Sequence, residues 1–140
     1  MIFWDTSAIV PLLLDQPGTS TFQAILERDP DMLVWWGTAT EAQSAIARLE
    51  RDGDLDTGDA STARRTLSTY QEFWSEVTPG DEVRDHAARL LLRHPLRAAD
   101  ALRLGAAMTW ARARPDGHLF LTLDTRLADA ARREGFALVG

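Results

Sequence analysis

The chain has 140 residues, 45% hydrophobic and 26% charged, with a net charge of −6 and a pI near 5.0. That length suffices for one domain with its own core, and no apolar run approaches the ~20 residues needed to cross a bilayer. With no cysteine, disulfides and thiolate zinc sites are excluded, and the acidic balance argues against a general nucleic-acid coat, which needs basic residues to neutralise phosphates.

All 15 basic residues are arginine. The absence of lysine rules out a phosphate-binding GxxxxGK[ST] loop, a Schiff-base lysine and a lysine-dependent phospho-acceptor site. The N-terminus lacks a basic segment, and Asp5 interrupts its apolar start, so no secretory signal peptide is expected and a cytoplasmic location is.

In chain order, Ile2 to Asp5 reads as a short buried strand, and Thr6-Ser7 starts a helix to about Leu14. Gln16-Pro17-Gly18 breaks it. A second helix runs from Thr19 or Ser20 to about Arg28, and Met32 to Trp36 is a second strand. A helix from Gly37-Thr38 to about Asp52 follows, then helical patterns over Asp59 to Phe73 and Asp81 to Arg93, with an edge strand from Trp74 to Thr78 between them. These two helical blocks are expected to form a lateral hairpin. His94-Pro95 should start another helix, to about Ala113. Leu119 to Leu123 reads as a strand, Thr125 to Glu134 as a helix stopped by Gly135, and Ala137 to Val139 as a last strand. Strands alternating with helices predict a three-layer α/β/α sandwich around a mostly parallel sheet of about five strands, with residues 1–140 as one domain.

Four acids stand out. Asp5 and Asp124 follow apolar runs, at the C-terminal strand edge where open α/β sheets bind ligands. Both also suit helix N-caps. Glu41 opens a helix, and Thr38-Ala39-Thr40-Glu41 fits a capping box. Asp100 falls in an alanine-rich helix with Leu96, Leu104, Ala107 and Ala111 on its face, where a lone carboxylate is costly unless paired or metal-bound. Arg97 and Arg103 are its candidate partners. Converging carboxylates repel one another unless a cation neutralises them, and oxygen ligands favour Mg²⁺ or Mn²⁺ over zinc.

These residues resemble PIN-domain ribonucleases. Asp5-Thr6-Ser7-Ala8 is similar to the family's opening motif, Thr40-Glu41-Ala42 to its second acid, Leu96-Arg97-Ala98-Ala99-Asp100-Ala101-Leu102 to its third, and Leu121-Thr122-Leu123-Asp124 to its fourth. The resemblance spans nearly the whole chain, and the small size is most similar to the VapC toxins of bacterial toxin–antitoxin pairs. It departs at Ala42-Gln43, where the family usually has a larger apolar residue.

The resemblance implies a metal-dependent endoribonuclease. Asp5, Asp100 and Asp124 would hold Mg²⁺ or Mn²⁺. Glu41 would bind through water or orient the attacking water, with Ser7 and Thr122 as supporting hydroxyls. It also implies a 3′-hydroxyl and a 5′-phosphate as products, a homodimer, and a cognate antitoxin that blocks the acidic site with a basic side chain.

Candidate phosphate contacts are Arg93, Arg97, Arg103, Arg112 and Arg114, with Arg64 and Arg65 further off. The five tryptophans are read as core or interface, and His86, His94 and His118 as structural. A PIN-type RNA-processing nuclease and a catalytically silent PIN-like binding module are the alternatives. A haloacid-dehalogenase-type phosphatase is disfavoured, because Ser7 stands where its second aspartate belongs.

Overall fold

The computed structural model describes residues 1–140. In chain order the elements are β1 (Ile2–Trp4), α1 (Thr6–Leu13), α2 (Thr19–Arg28), β2 (Met32–Trp35), α3 (Thr38–Arg51), α4 (Thr57–Phe73), β3 (Ser75–Val77), α5 (Asp81–Arg93), α6 (Ala98–Trp110), β4 (Leu119–Leu121), α7 (Thr125–Glu134) and β5 (Ala137–Leu138). The strands form one sheet in the order β3-β2-β1-β4-β5, and every pairing is parallel. Phe3 aligns with Leu33 on one side and with Phe120 on the other.

The inner strands β1, β2 and β4 are apolar at every position because both faces of the sheet are covered there, whereas the edge strand β3 carries Ser75 and Glu76 in solvent. Ile2, Trp4 and Val34 point into one layer, with Ile9, Phe22, Ile46 and Leu67 from α1 to α4. Phe3, Leu33 and Phe120 point into the other, with Val83, Leu104 and Leu127 from α5 to α7. The result is the expected α/β/α sandwich.

The crossover from β1 leads to β2, whereas that from β4 leads to β5 on the opposite side of the sheet. The connections therefore diverge between β1 and β4, which opens a crevice beyond their C-terminal ends. Asp5 and Asp124 follow those two strands.

Three local expectations are corrected. The lateral helical hairpin is α3 with α4, not α4 with α5; β3 separates the latter pair, and α5 packs on α6 instead. That second contact is close because Gly105 faces α5: a Cβ there would lie 2.8 Å from the Val83 carbonyl oxygen.

Helix α6 starts at Ala98, later than His94-Pro95 suggests. His94 is extended (φ −133°, ψ 148°), as a residue before proline prefers, and Arg97 is extended too (φ −83°, ψ 166°). Asp100 therefore lies in the first turn of α6 rather than deep in a helix. The helix also stops early, at Trp110, because Arg112 and Ala113 adopt left-handed φ angles of 53° and 59°.

The Thr38–Glu41 capping box does not form. Gly37 is the N-cap, Thr38 is already inside α3, and the Glu41 side chain turns away to other partners.

Candidate active site

Asp5 ends β1 and caps α1, and its backbone N–H donates to the Leu121 carbonyl at 2.9 Å, continuing the β1–β4 pairing. Its side chain is 1% exposed, so its two oxygens have sharply defined surroundings. Oδ2 accepts from the Ser7 hydroxyl at 2.6 Å, the Thr122 hydroxyl at 2.8 Å and the Ser7 backbone N–H at 3.3 Å. Thr122 Oγ1 also accepts from the Asp124 N–H at 3.0 Å, and Ser7 Oγ from the Leu123 N–H at 2.9 Å. The two hydroxyls, 3.1 Å apart, tie the end of β4 to the start of α1. Oδ1 is buried and has no hydrogen-bond partner.

Arg103 faces that orphaned oxygen, with Nε 3.5 Å from Asp5 Oδ1. It reaches from α6 into the space between the acids. Nε donates to Glu41 Oε2 at 2.8 Å, Nη2 makes a second, shorter contact to the same oxygen, and Nη1 donates to Asp100 Oδ1 at 2.9 Å. Glu41 Oε1 accepts from the Thr6 hydroxyl at 3.1 Å, and Asp100 Oδ2 from the Arg97 N–H at 3.2 Å. Burial alone would lower the Arg103 pKa. The hydrogen bond to Glu41 and the charges of Asp5, Glu41 and Asp100 outweigh it and raise that pKa above the ordinary arginine value.

Asp5, Glu41 and Asp100 thus gather on one guanidinium, as sequence separations of 62 and 3 residues from Arg103 would not by themselves suggest. Asp124 stands apart. Its Oδ1 caps α7, accepting from the Arg126 and Leu127 N–H groups at 2.9 and 3.2 Å, while its side chain lines the same cleft. As the structure stands, no three acidic or histidine side chains lie close enough together to share one ion. Even so, three carboxylates against one guanidinium leave a surplus of negative charge. The donors are all oxygen, and one buried carboxylate oxygen lacks a partner; that combination suits a hard divalent cation.

The cleft has a volume of about 540 Å³ and is walled by Asp5, Glu41, Arg103 and Asp124 together with one stripe of α3. Along that stripe Glu41, Ser44, Ala45 and Arg48 follow the helical repeat, so Arg48 lies two turns along from Glu41. Arg48 is exposed and makes no ion pair within 4.0 Å. Sequence reading passed over Arg48 and Thr6. The i+7 spacing from Glu41 was the available signal for the first, and adjacency to Asp5 for the second.

Other candidates fall outside this centre. Arg93 pairs with Glu134 at 3.2 Å and Arg64 with Glu50 at 2.9 Å, while Arg97, Arg112 and Arg114 are exposed. His94 contacts Glu134 at 2.7 Å, His118 packs edge-on against Trp110, and His86 is buried, in keeping with structural roles. Trp4 is fully buried in the core, whereas Trp36 is 54% exposed.

A family model described as PIN domain matches residues 2–133. The chain belongs to the PIN domain family. Over 111 residues this PIN domain is 30% identical to Ribonuclease VapC45 and to Ribonuclease VapC49, both of Mycobacterium tuberculosis; the alignment covers 77% of this chain and 75% of each relative. The crystal structure of FitAcB from Neisseria gonorrhoeae matches with a TM-score of 0.70 at 19% identity, covering 100% of this chain and 97% of that one, which shows a shared fold. No helix of this PIN domain is long and apolar enough to cross a membrane.

Proposed function

We propose that the chain, acting as one domain over residues 1–140, is a Mg²⁺- or Mn²⁺-dependent endoribonuclease and the toxic component of a type II toxin–antitoxin pair. The observation that carries this reading is the Asp5 carboxylate. One oxygen is locked by Ser7 and Thr122, and the other is buried without a hydrogen-bond partner, 3.5 Å from Arg103 Nε, facing a site that Glu41 and Asp100 also enter. Such an oxygen has given up its hydration, and one guanidinium shared by three carboxylates leaves it short of positive charge. The ribonuclease names of the VapC relatives support RNA as the substrate.

In this reading Asp5, Asp100 and Asp124 would hold the ion, directly or through water. When bound, a divalent ion lowers the pKa of its water and stabilises charge on the phosphate. Glu41, steadied by the Thr6 hydroxyl, would bind the ion through water or orient the attacking water. Arg48 neutralises a backbone phosphate along the cleft, which answers how an acidic protein holds RNA. The products are a 3′-hydroxyl and a 5′-phosphate.

A homodimer in the cytoplasm and a cognate antitoxin complete the proposal. Leu91 and Leu92, 45% and 88% exposed on α5, are apolar surface available for association. An antitoxin that places an arginine at the cleft would find the charge complementarity it requires.

The test is to treat total cellular RNA with the protein and map new 5′ ends, comparing Mn²⁺ with EDTA and wild type with Asp100→Asn. Discrete ends that need the metal and vanish in the variant are expected. Full cleavage by a folded Asp100→Asn protein would remove Asp100 from the site. Absence of both cleavage and metal binding would favour a silent binding module.

A further inference from the structure

Arg103 occupies the Asp5 and Asp100 oxygens that a divalent ion would use, and the Glu41 oxygen that would hold its water. The guanidinium is held by Glu41 Oε2 at 2.8 Å and Asp100 Oδ1 at 2.9 Å and lies against Asp5 Oδ1 at 3.5 Å. Each of these oxygens comes from a different element: α3, the start of α6 and the end of β1. A carboxylate-bound Mg²⁺ needs oxygens at about 2.0–2.1 Å. With the planar guanidinium between the acids, no three of them are near enough to one point to provide that.

Arg103 is also a cation that cannot leave by losing its proton. It can release the carboxylates only by moving. Its side chain is 17% exposed and borders the cleft, so there is open space beside it. The unpartnered, buried Asp5 Oδ1 shows that the arginine satisfies this cluster incompletely.

We infer that Arg103 is a resident counter-cation of the active site, holding Glu41, Asp100 and Asp5 together when no divalent ion is bound and yielding those oxygens when one enters. The inference rests on the metal-dependent reading proposed above. It adds that metal loading is a displacement, and that the sequence carries a built-in competitor one helical turn after Asp100. Metal affinity is then weaker than these three carboxylates would otherwise give, and the metal-free protein is spared their mutual repulsion.

The experiment is calorimetric titration of metal-free protein with Mn²⁺ at fixed pH and ionic strength, for wild type, Arg103→Gln and Arg103→Lys. The glutamine variant should bind Mn²⁺ about tenfold tighter or more, a gain of about 1.4 kcal/mol. The lysine variant should fall between, because its ammonium keeps the charge but not the fork of donors. Equal or weaker binding by the glutamine variant overturns the inference and makes Arg103 a positioning residue that preorganises the acids.

Should Arg103→Gln fail to fold, the wild type decides. The Arg103 Nε–H resonance should shift as Mg²⁺ is added, and a resonance that stays put while the Asp5 and Asp100 amides move refutes displacement. No Mn²⁺ binding by any of the three proteins removes both the inference and the metal-dependent reading. Mn²⁺-dependent RNA cleavage by wild type, with affinities unchanged across the variants, removes the inference alone.

Discussion

Replacing Thr122 by valine tests whether Asp5 is held in place by hydroxyl groups. The Thr122 hydroxyl donates to Asp5 Oδ2 at 2.8 Å and accepts from the Asp124 N–H at 3.0 Å. Valine keeps the branched shape and loses both bonds. A hydrogen bond to an ionised group contributes roughly 1.5–3 kcal/mol to stability. Asp5 would retain the Ser7 hydroxyl and N–H, and Asp124, being only half-buried, would take water at its N–H. The expected loss is therefore about 2 kcal/mol, or a fall in Tm of about 4–8 °C for a chain of this size.

The assay is urea denaturation, in which the midpoint should move while the slope stays constant. Specificity for the carboxylate comes from a double-mutant cycle. In an Asp5→Asn background the charge is gone, and Thr122→Val should cost less by about 1 kcal/mol. A loss below about 0.5 kcal/mol, or strict additivity of the two substitutions, would refute the claim that Thr122 acts by holding the Asp5 charge. RNA cleavage by Thr122→Val should fall more steeply than its stability, since a carboxylate free to rotate no longer presents Oδ1 to the cleft.

Two further outcomes are expected. Burial, and then the nearby Arg89 charge, lower the His86 pKa from 6.5 in the folded protein, with Glu82, Asp85 and Glu134 opposing in part. The unfolded chain therefore takes up the proton first, so the stability due to neutral His86 is complete above 6.5 and lost as the pH falls through it. Melting curves across that window should be flatter for His86→Leu than for wild type, and parallel curves would contradict the assignment. Arg48→Ala should raise the KM for RNA and reduce the slope of log affinity against log salt by about 0.7–1, as loss of one phosphate contact requires, with stability changed by under about 0.5 kcal/mol; an unaltered salt slope would take Arg48 out of the interface.

The periodic parts of the chain were legible from sequence, and the irregular parts less so. Asp81–Arg93 and Thr125–Glu134 coincide with the helices expected, because each has an apolar stripe closed by a clear stop: the His94-Pro95 pair in one case and Gly135 in the other. The start of α6 was misplaced because Pro95 signals a helix start as readily as an extended segment before one, and Arg97 supplied the true cap. The helical hairpin was misassigned because Ser75–Val77, largely exposed and only three residues long, gave little sign that it would enter the sheet and part α4 from α5.

At the site, Asp5, Ser7 and Thr122 could be named from their motif, and the structure joins them directly. Arg103 was named from sequence as an i+3 partner of Asp100 and as a candidate phosphate contact, but not as a partner of Glu41 and Asp5. Its contacts with Glu41 and Asp5 cross from α6 to α3 and β1, and no local pattern encodes them.

The central strand β1 is the first element of the chain, yet its neighbour β4 begins at Leu119. Asp5 and one of the two hydroxyls that steady it, that of Thr122, are 117 residues apart. During synthesis the acids of β1, α3 and α6 thus exist for most of the elongation period without the wall that shapes them into a cleft. Pairing so remote in sequence is also slow to form. On the proposed reading the capacity to cleave RNA is acquired abruptly and late, and a chain cut short between Asp100 and Leu119 lacks the cleft even though Asp5, Glu41 and Asp100 have all been translated.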